Sequence, residues 1–465
     1  MKSRLYMPIL TVLIFAAVLM VLSNLDSDIE TLLKAGINQK KPAIVVNQVG
    51  YLPQWQKKAF LRRSTAFSSK QNIKSATELI NQETNEVLAE ISSKAETVDL
   101  TTKDGVTVID FSSITEPGTY YLQQGKLKSV PFAIGKDIYQ KPLATMIRSY
   151  YLQRCGVELN DPVTGISHVP CHIKDGIIAR QDKYHDSNEL LDATGGWHDT
   201  GAYSKNVATT TVAIARLLNL YEQNPRFFPD SQLDIPESGN GTSDLLDEMQ
   251  FGLDWLLKMQ RADGAVYRKI SGKSWPINLG PDEDIQPRYI YGVSTPETAK
   301  FAAVMAIASR NWQSIDDQTA AKYLMAAESA WQYLQSQPTM TIDWQPEDDS
   351  GSDSFIADEF NTEVSLNTDL DDRLWAAAEL AVTTGKEEFN SYFASNLDQV
   401  EYTLFEWKNP APLGLIDYLE LNPQPLEDGL KAKIQSKIKA RAELILARVN
   451  QSTYNIANNR FIWGV

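Results

Sequence analysis

The segment Gly195–Val207, GGWHDTGAYSKNV, places a carboxylate, an imidazole and an indole inside one glycine-rich stretch. Asp199 there offers acid–base chemistry. Upstream stand Cys155 and the adjacent pair Cys171-His172. With His198 they make a Cys2His2 donor set, which suits tetrahedral zinc. Cys155 and Cys171 are the only two cysteines of the chain, so a disulfide between them is the competing reading, and free thiols are a third. His185 is the rival fourth donor, and His168 reads as a loop or cleft residue. Asp371 and Asp372, just ahead of Arg373-Leu374-Trp375, offer hard oxygen ligands for calcium. The same pair reads equally as an acidic helix N-terminus favoured by the helix dipole. The run Glu237–Gly241 reads as a turn and cap.

These groups need scaffolding, and 465 residues suffice for two domains with a sizeable core. A hydrophobic fraction of 43% and a charged fraction of 22% are ordinary for a globular chain. The formal net charge of -15 argues against nucleic acid or anionic lipid as the main partner. Ten Trp and nineteen Tyr suit sugar binding, because aromatic faces cover the apolar faces of pyranose rings. Helix packing is the competing use of most of them.

Residues 1–25 read as a targeting segment. Lys2 and Arg4 precede an apolar run from Leu5 to Leu22, long for a signal-peptide core and short for a membrane span. Either a cleaved signal peptide or an uncleaved membrane anchor leaves the rest of the chain exported, periplasmic or extracellular. Residues 26–41 are a polar tether.

From 42 to 136 the pattern is β. Ala43–Val49, Lys58–Arg62, Ala76–Ile80 and Val106–Phe111 are short β-branched or alternating runs separated by turn signals, and Glu116-Pro117-Gly118 leads into Thr119–Leu122. That spacing predicts an antiparallel sandwich. From 137 onward the apolar period is helical over Ile138–Arg154, Val207–Glu222, Ser243–Gln260, Pro296–Asn311, Thr319–Gln335, Leu370–Thr384 and Pro425–Val449. Ser243 is the expected cap of its helix, and Pro296 suits a first helical position. The stretch 342–367 reads as an acidic loop at the surface or the rim of a site.

The segment Gly195–Val207 resembles the signature of family 9 glycoside hydrolases, close to GGWYDAGDYGKYV. Further stretches resemble the same family in order. Val46–Tyr51 looks like the opening of its N-terminal immunoglobulin-like domain, and Arg148–Gly156 like the first barrel helix. Ile235–Glu248 looks like a helix entry closed by Leu256–Gln260. Val293–Thr295 with Phe301–Val304, and Arg373–Leu380, look like inner helices, and Phe461–Gly464 like a late strand-like segment. The resemblance implies an all-β immunoglobulin-like sandwich followed by an all-α (α/α)6 toroid. It also implies inverting hydrolysis of β-1,4-linked glucans or related β-linked oligo- or polysaccharides.

Inverting hydrolysis uses two carboxyl groups, about 6.5–9.5 Å apart. By resemblance the base is the second Asp of the signature, with the first helping to hold the water. Asp199 matches the first, and Ala202 occupies the base position, so Asp199 is left as water holder or surrogate base. The family's acid is a Glu in a late Asn-Glu segment preceded by His-His-Arg; no His-His-Arg occurs before Val465, and none of the four His lies beyond His198. The expectation is an incomplete toroid lacking its last helices and an impaired hydrolase. A non-catalytic glycan-binding protein or the remnant of a truncated gene is the alternative. The resemblance also implies a structural zinc on Cys155, Cys171, His172 and His198. Trp197, Trp275, Tyr289 and Trp344 are the candidate sugar platforms, each with core packing as the other reading.

Overall fold

The computed structural model describes residues 43–63, 76–93, 95–199, 201–345, 348, 366–402, 407–421 and 428–457. The expected targeting segment, the tether, most of the acidic loop and Phe461–Gly464 lie outside these residues. Among the described residues, no helix is long and apolar enough to cross a membrane. The chain divides into two units, one of residues 1–140 with 445–465 and one of residues 141–444.

The first unit is a β-sandwich. One sheet has the order β1 (Ala43–Val45), β2 (Lys58–Arg63), β6 (Gly105–Asp110), β5 (Thr97–Val98). The other runs β4 (Val87–Ile91), β3 (Thr77–Asn81), β7 (Gly118–Gln124), β8 (Leu127–Lys128), with β9 (Phe132–Ile134) also on β7. All pairs are antiparallel. Alternation along the strands supplies the core: Leu61, Leu79, Ile109 and Leu122 are at most 1% exposed. Tyr120 donates its hydroxyl to Glu116 O across 3.0 Å, the tyrosine-corner bond of immunoglobulin-like sandwiches. The short strands β4, β5, β8 and β9 were not marked in the sequence, because two- to five-residue runs carry little periodicity.

Among the described residues, 445–457 group with the sandwich. Asp99 explains this locally. It accepts Ser452 Oγ (2.7 Å) and Thr453 N (2.6 Å), while Tyr454 packs edge-on against Phe60 with centroids 5.2 Å apart. Against a burial that would raise it, the hydrogen bonds of Ser452, Thr102 and Thr453 hold the Asp99 carboxyl down to about 2.

The second unit is helical. It begins with α1 (Gln140–Arg148) and a short 3-10 turn over Tyr151–Gln153, where the sequence suggested one helix to Arg154. Then follow α2 (Val207–Gln223), α3 (Asp244–Lys258), α4 (Thr295–Trp312), α5 (Asp317–Ser336), α6 (Leu370–Thr384), α7 (Glu387–Asn396), α8 (Ala411–Leu421) and α9 (Asp428–Gln451). Helices α2, α4, α6 and α8 pack in succession. Nearly every residue of α4 is buried, whereas α5 and α7 bury one face each. An apolar inner helix alternating with an amphipathic outer one is the hairpin unit of an α/α toroid.

Caps differ from expectation in detail. Ser294 caps α4, its Oγ accepting Glu297 N at 3.2 Å, with Pro296 in the first turn. Ser243 holds the cap position of α3 without a side-chain cap bond. Its neighbour Asp244 turns back instead, accepting Ser231 N, Leu233 N and Ser238 Oγ at 2.7–2.9 Å. The helices α7 and α8 carry little sequence signal, since each is short and its apolar period spans few turns.

After an antiparallel pair of β10 (Leu159–Asn160) and β11 (Ser167–His168), a small sheet of order β12 (Ile177–Ile178), β15 (Tyr289–Ser294), β14 (Val266–Ser271), β13 (Lys205–Asn206) sits at the N-terminal ends of α2 and α4. Strand β13 leads directly into α2 and β15 into α4. Pairing through β14 therefore brings the turn before α2 beside the hairpin loop 272–288.

Candidate metal centre and cleft

The glycine-rich turn is built by close packing. Gly195 and Gly196 adopt φ of +94° and +73°. A Cβ on Gly196 would stand 2.7 Å from the Trp255 ring, so both backbone freedom and lack of a side chain are needed there. Beneath the turn, Lys205 is fully buried and donates to Ala193 O (3.0 Å) and Gly195 O (2.7 Å). Its ammonium pairs with Asp175 at 2.9 Å, and Arg288 binds the other Asp175 oxygen at 2.8 Å. Against burial, these two cations hold the Asp175 carboxyl below the usual range. Arg288 also donates to Tyr203 O at 2.6 Å, in a backbone of φ +53°. Arg288 is 2% exposed and structural, while Tyr289 is half-buried.

On this base four donors converge. Cys155, Cys171, His172 and His198 each offer one ligand atom, all within 4.8 Å of one another. Cys155 Sγ lies 3.7 Å from His172 Nδ1, Cys171 Sγ lies 3.7 Å from His198 Nε2, and the two nitrogens are 3.2 Å apart. A tetrahedral zinc with ordinary bond lengths sets such edges at about 3.3–3.6 Å. Both cysteines are free thiols. Burial pushes His198 down, favouring the neutral ring that ligates metals. The Cys155 side chain holds the Cys171 thiol down to about 7. The residues thus fit zinc, which would clamp three segments together. His185 is elsewhere, its Nδ1 3.1 Å from Glu189 Oε1, and His168 turns to Val169 O at 2.8 Å.

Asp199, next in sequence to His198, is exposed. Its Oδ1 accepts Ser204 Oγ at 2.7 Å, and Oδ2 accepts the Asn206 amide and Thr209 Oγ1, the latter at 3.2 Å. Its backbone N–H closes the turn on Ser204 O at 3.0 Å. Ala202 is 4% exposed. Ser204 and Asn206 are two of the positions where this signature departs from the family pattern, and both bind the same carboxylate.

The four aromatic candidates separate. Trp197 is 4% exposed, donates its indole N–H to Glu248 Oε1 at 2.8 Å and packs edge-on against Tyr150. A Cβ on Gly252 would overlap its ring at 2.4 Å. Trp197 is therefore core, which corrects the expectation of a sugar platform. Glu248 is held in turn by Arg154 at 2.9 Å. Trp275 and Trp344 are half-buried, and Trp275 lies against Gly201 in the turn carrying Asp199. Lys273 covers one face of Tyr289 at 4.5 Å.

The acidic pair before Arg373 has another partner than calcium. Lys300 of α4 meets Asp372 of α6 at 2.6 Å, both fully buried, and Asp369 pairs with Arg373 at 2.8 Å. An internal ammonium thus stands where the calcium expectation needs a divalent ion. Asp371 is 3% exposed, and burial pushes its carboxyl up to about 6.

Lys205, Asp175 and Asp284 went unassigned in the sequence. Lys205 belongs to the signature and was findable there. The two aspartates sit in loops whose contacts are long-range.

Comparison with known proteins agrees with this architecture. A model of glycosyl hydrolase family 9 matches residues 139–464, and one of the cellulase N-terminal ig-like domain matches residues 39–129. Endoglucanase D of Acetivibrio thermocellus is 30% identical over 432 residues, covering 90% of this chain and 65% of that protein. A xyloglucan-specific endo-beta-1,4-glucanase of Bacteroides ovatus is 31% identical, covering 68% and 54%. The chain thus spans less than two thirds of these relatives' lengths. A metagenome-derived family 9 endoglucanase superposes with a TM-score of 0.83 at 39% identity, covering 89% of this chain and 74% of that one. A zinc-binding triple mutant of a family 9 endoglucanase gives 0.79 at 33%, covering 88% and 74%. With its sandwich, its helical hairpins and its signature turn in family order, the chain belongs to glycosyl hydrolase family 9.

Proposed function

We propose that this chain takes β-1,4-linked glucan or a shorter β-linked oligosaccharide as its ligand, and that in this copy hydrolysis is impaired. The observation that carries the reading is the signature turn. Ala202 stands at the base position, and a methyl group accepts no proton. Asp199 is tied by Ser204, Asn206 and Thr209. A carboxylate so held can orient a water. To act as base it would have to replace a group three residues away, and displacement by about 1 Å already costs on the order of a hundredfold.

The names of the relatives, an endoglucanase and a xyloglucan-specific endo-beta-1,4-glucanase, support the substrate class. The zinc is read as structural, held by Cys155, Cys171, His172 and His198, and it would supply rigidity to the rim. Export to the periplasm or beyond is part of the proposal, as is the division into sandwich and toroid near residue 140.

The test is turnover of a chromogenic cellobioside and of cello-oligosaccharides by wild type, Ala202→Asp and Asp199→Ala. In a chain also supplied with the family's late acid-bearing segment, Ala202→Asp is expected to raise kcat about 100-fold or more over the same chain with Ala202, the scale of a positioned base. Wild-type turnover that matches Ala202→Asp and vanishes in Asp199→Ala would establish Asp199 as a working base and overturn the impairment. The half-buried Trp275 beside the turn favours a second reading, a glycan-binding protein. Cello-oligosaccharide binding without turnover in wild type and Ala202→Asp alike supports it.

A further inference from the structure

The two histidines of the metal centre use different nitrogens. His198 presents Nε2 to the donor cluster, whereas His172 presents Nδ1, leaving His172 Nε2 on the far side of its ring. That far nitrogen faces Asp284 Oδ2 at 3.4 Å, with the two side chains 1% and 3% exposed. A metal-bound imidazole commonly donates its second N–H to a carboxylate, which fixes the tautomer and the ring orientation. The tautomer of His172 that carries its proton on Nε2 has Nδ1 free to ligate. His172 also sits at φ +47°, a backbone that favours glycine and that its surroundings must hold in place.

Asp284 belongs to the loop 272–288, as does Trp275. Gln286 Nε2 donates to Asp284 Oδ1 at 2.9 Å, and Asp284 N donates to Gly280 O at 3.2 Å, so the carboxylate is rigidly part of the loop. Tyr203 fastens the loop a second time, through its hydroxyl to Leu279 O at 2.6 Å, and its ring lies against both His172 and His198. Trp275 from this loop meets Gly201, where an added Cβ would stand 3.3 Å from the indole. Charge permits the arrangement. Zinc with two thiolates is neutral, and Asp175 with Asp284 balances Lys205 with Arg288.

We infer that Asp284 is a positioning residue: it sets the Nδ1-ligating form of His172 and fastens the Trp275 loop to the metal centre. The inference rests on reading Cys155, Cys171, His172 and His198 as a zinc site. Zinc affinity of the full chain is measured by competition with a chromophoric chelator. Acrylamide quenching of the Trp275 emission, taken as the difference between wild type and Trp275→Phe, reports the loop.

Asp284→Ala is expected to weaken zinc about 10- to 100-fold and to raise Trp275 quenching. Asp284→Asn keeps an oxygen for the His172 N–H, and its loss of affinity should stay below about tenfold. Ser274→Ala cuts a bond of the loop, from Ser274 Oγ to Gln286 Oε1 at 3.1 Å, without touching Asp284 or His172, and should leave affinity near wild type. Wild-type affinity in Asp284→Ala overturns the inference. So does a loss in Ser274→Ala as large as that in Asp284→Ala, which would mark general loop collapse. If Asp284→Ala does not fold, Asp284→Asn decides: a loss of affinity larger than that of Ser274→Ala, with raised Trp275 quenching, supports the inference, and affinity and quenching equal to those of Ser274→Ala overturn it. A wild-type chain that binds no zinc fails the metal reading itself, a distinguishable result.

Discussion

Lys300 Nζ of α4 lies 2.6 Å from Asp372 Oδ1 of α6, and neither side chain is exposed. The ion pair joins two inner helices near their N-terminal ends. Its carboxylates outweigh the burial that would push the ammonium down, so Lys300 stays charged. Lys300→Met removes the cation and strands buried carboxylates. Equilibrium unfolding in urea should show a loss of about 3–5 kcal/mol. The double variant Lys300→Met with Asp372→Leu should recover much of it, since an apolar pair leaves no uncompensated charge. A double variant as unstable as the single one would show that packing, not charge, dominates.

Asp371 gives a pH dependence with a definite sign. Burial is the chief cause of its rise to about 6, with Lys300 opposing. The unfolded carboxyl titrates near 3.9, so between these values the folded state binds more protons. The contribution of Asp371 to stability is greatest below pH 4 and is lost as pH rises through 6. Relative to Asp371→Asn, wild type should lose about 2–3 kcal/mol between pH 4 and pH 7. Parallel stability curves for the two proteins would remove Asp371 as the source.

Trp197 and Trp275 should separate stability from binding. Trp197→Phe leaves Glu248 without its indole donor and opens a gap beside Gly252, at a cost of about 1–3 kcal/mol. Trp275→Ala, at a half-buried position, should change stability little and weaken cello-oligosaccharide binding. Calorimetric titration and thermal melts on the two variants check this. Equal binding losses in both would return Trp197 to the cleft.

The metal centre predicts two titratable thiols and one zinc per chain. Thiol titration of protein denatured with a chelator, without reductant, should count both Cys155 and Cys171. Added zinc should raise the melting temperature, and free zinc at 1,000 times Kd corresponds to about 4 kcal/mol. A single sharp count of zero thiols would establish the disulfide instead.

Much of this molecule was legible in its residues. Alternation over Lys58–Arg63 and Gly105–Asp110 marks strands because one face of each must be buried. The helical period over Thr295–Trp312 and Leu370–Thr384 marks helices because apolar residues recur every third or fourth position, and the family resemblance marks them as inner ones. The signature turn carries the family resemblance, and the Cys2His2 donors are nameable from residue type alone, since ligand chemistry depends on it.

Tertiary structure alone decided what those residues touch. Trp197 looked like a platform, yet Glu248 and Gly252, over fifty residues away, make it core. Asp371 and Asp372 looked like calcium ligands until α4 brought Lys300 beside them. Asp284 carried no local signal, because its partner His172 is 112 residues distant. Sequence fixes periodicity and donor type through local sterics and side-chain chemistry. Burial, charge compensation and the identity of a second hydrogen-bond partner arise only when distant segments pack.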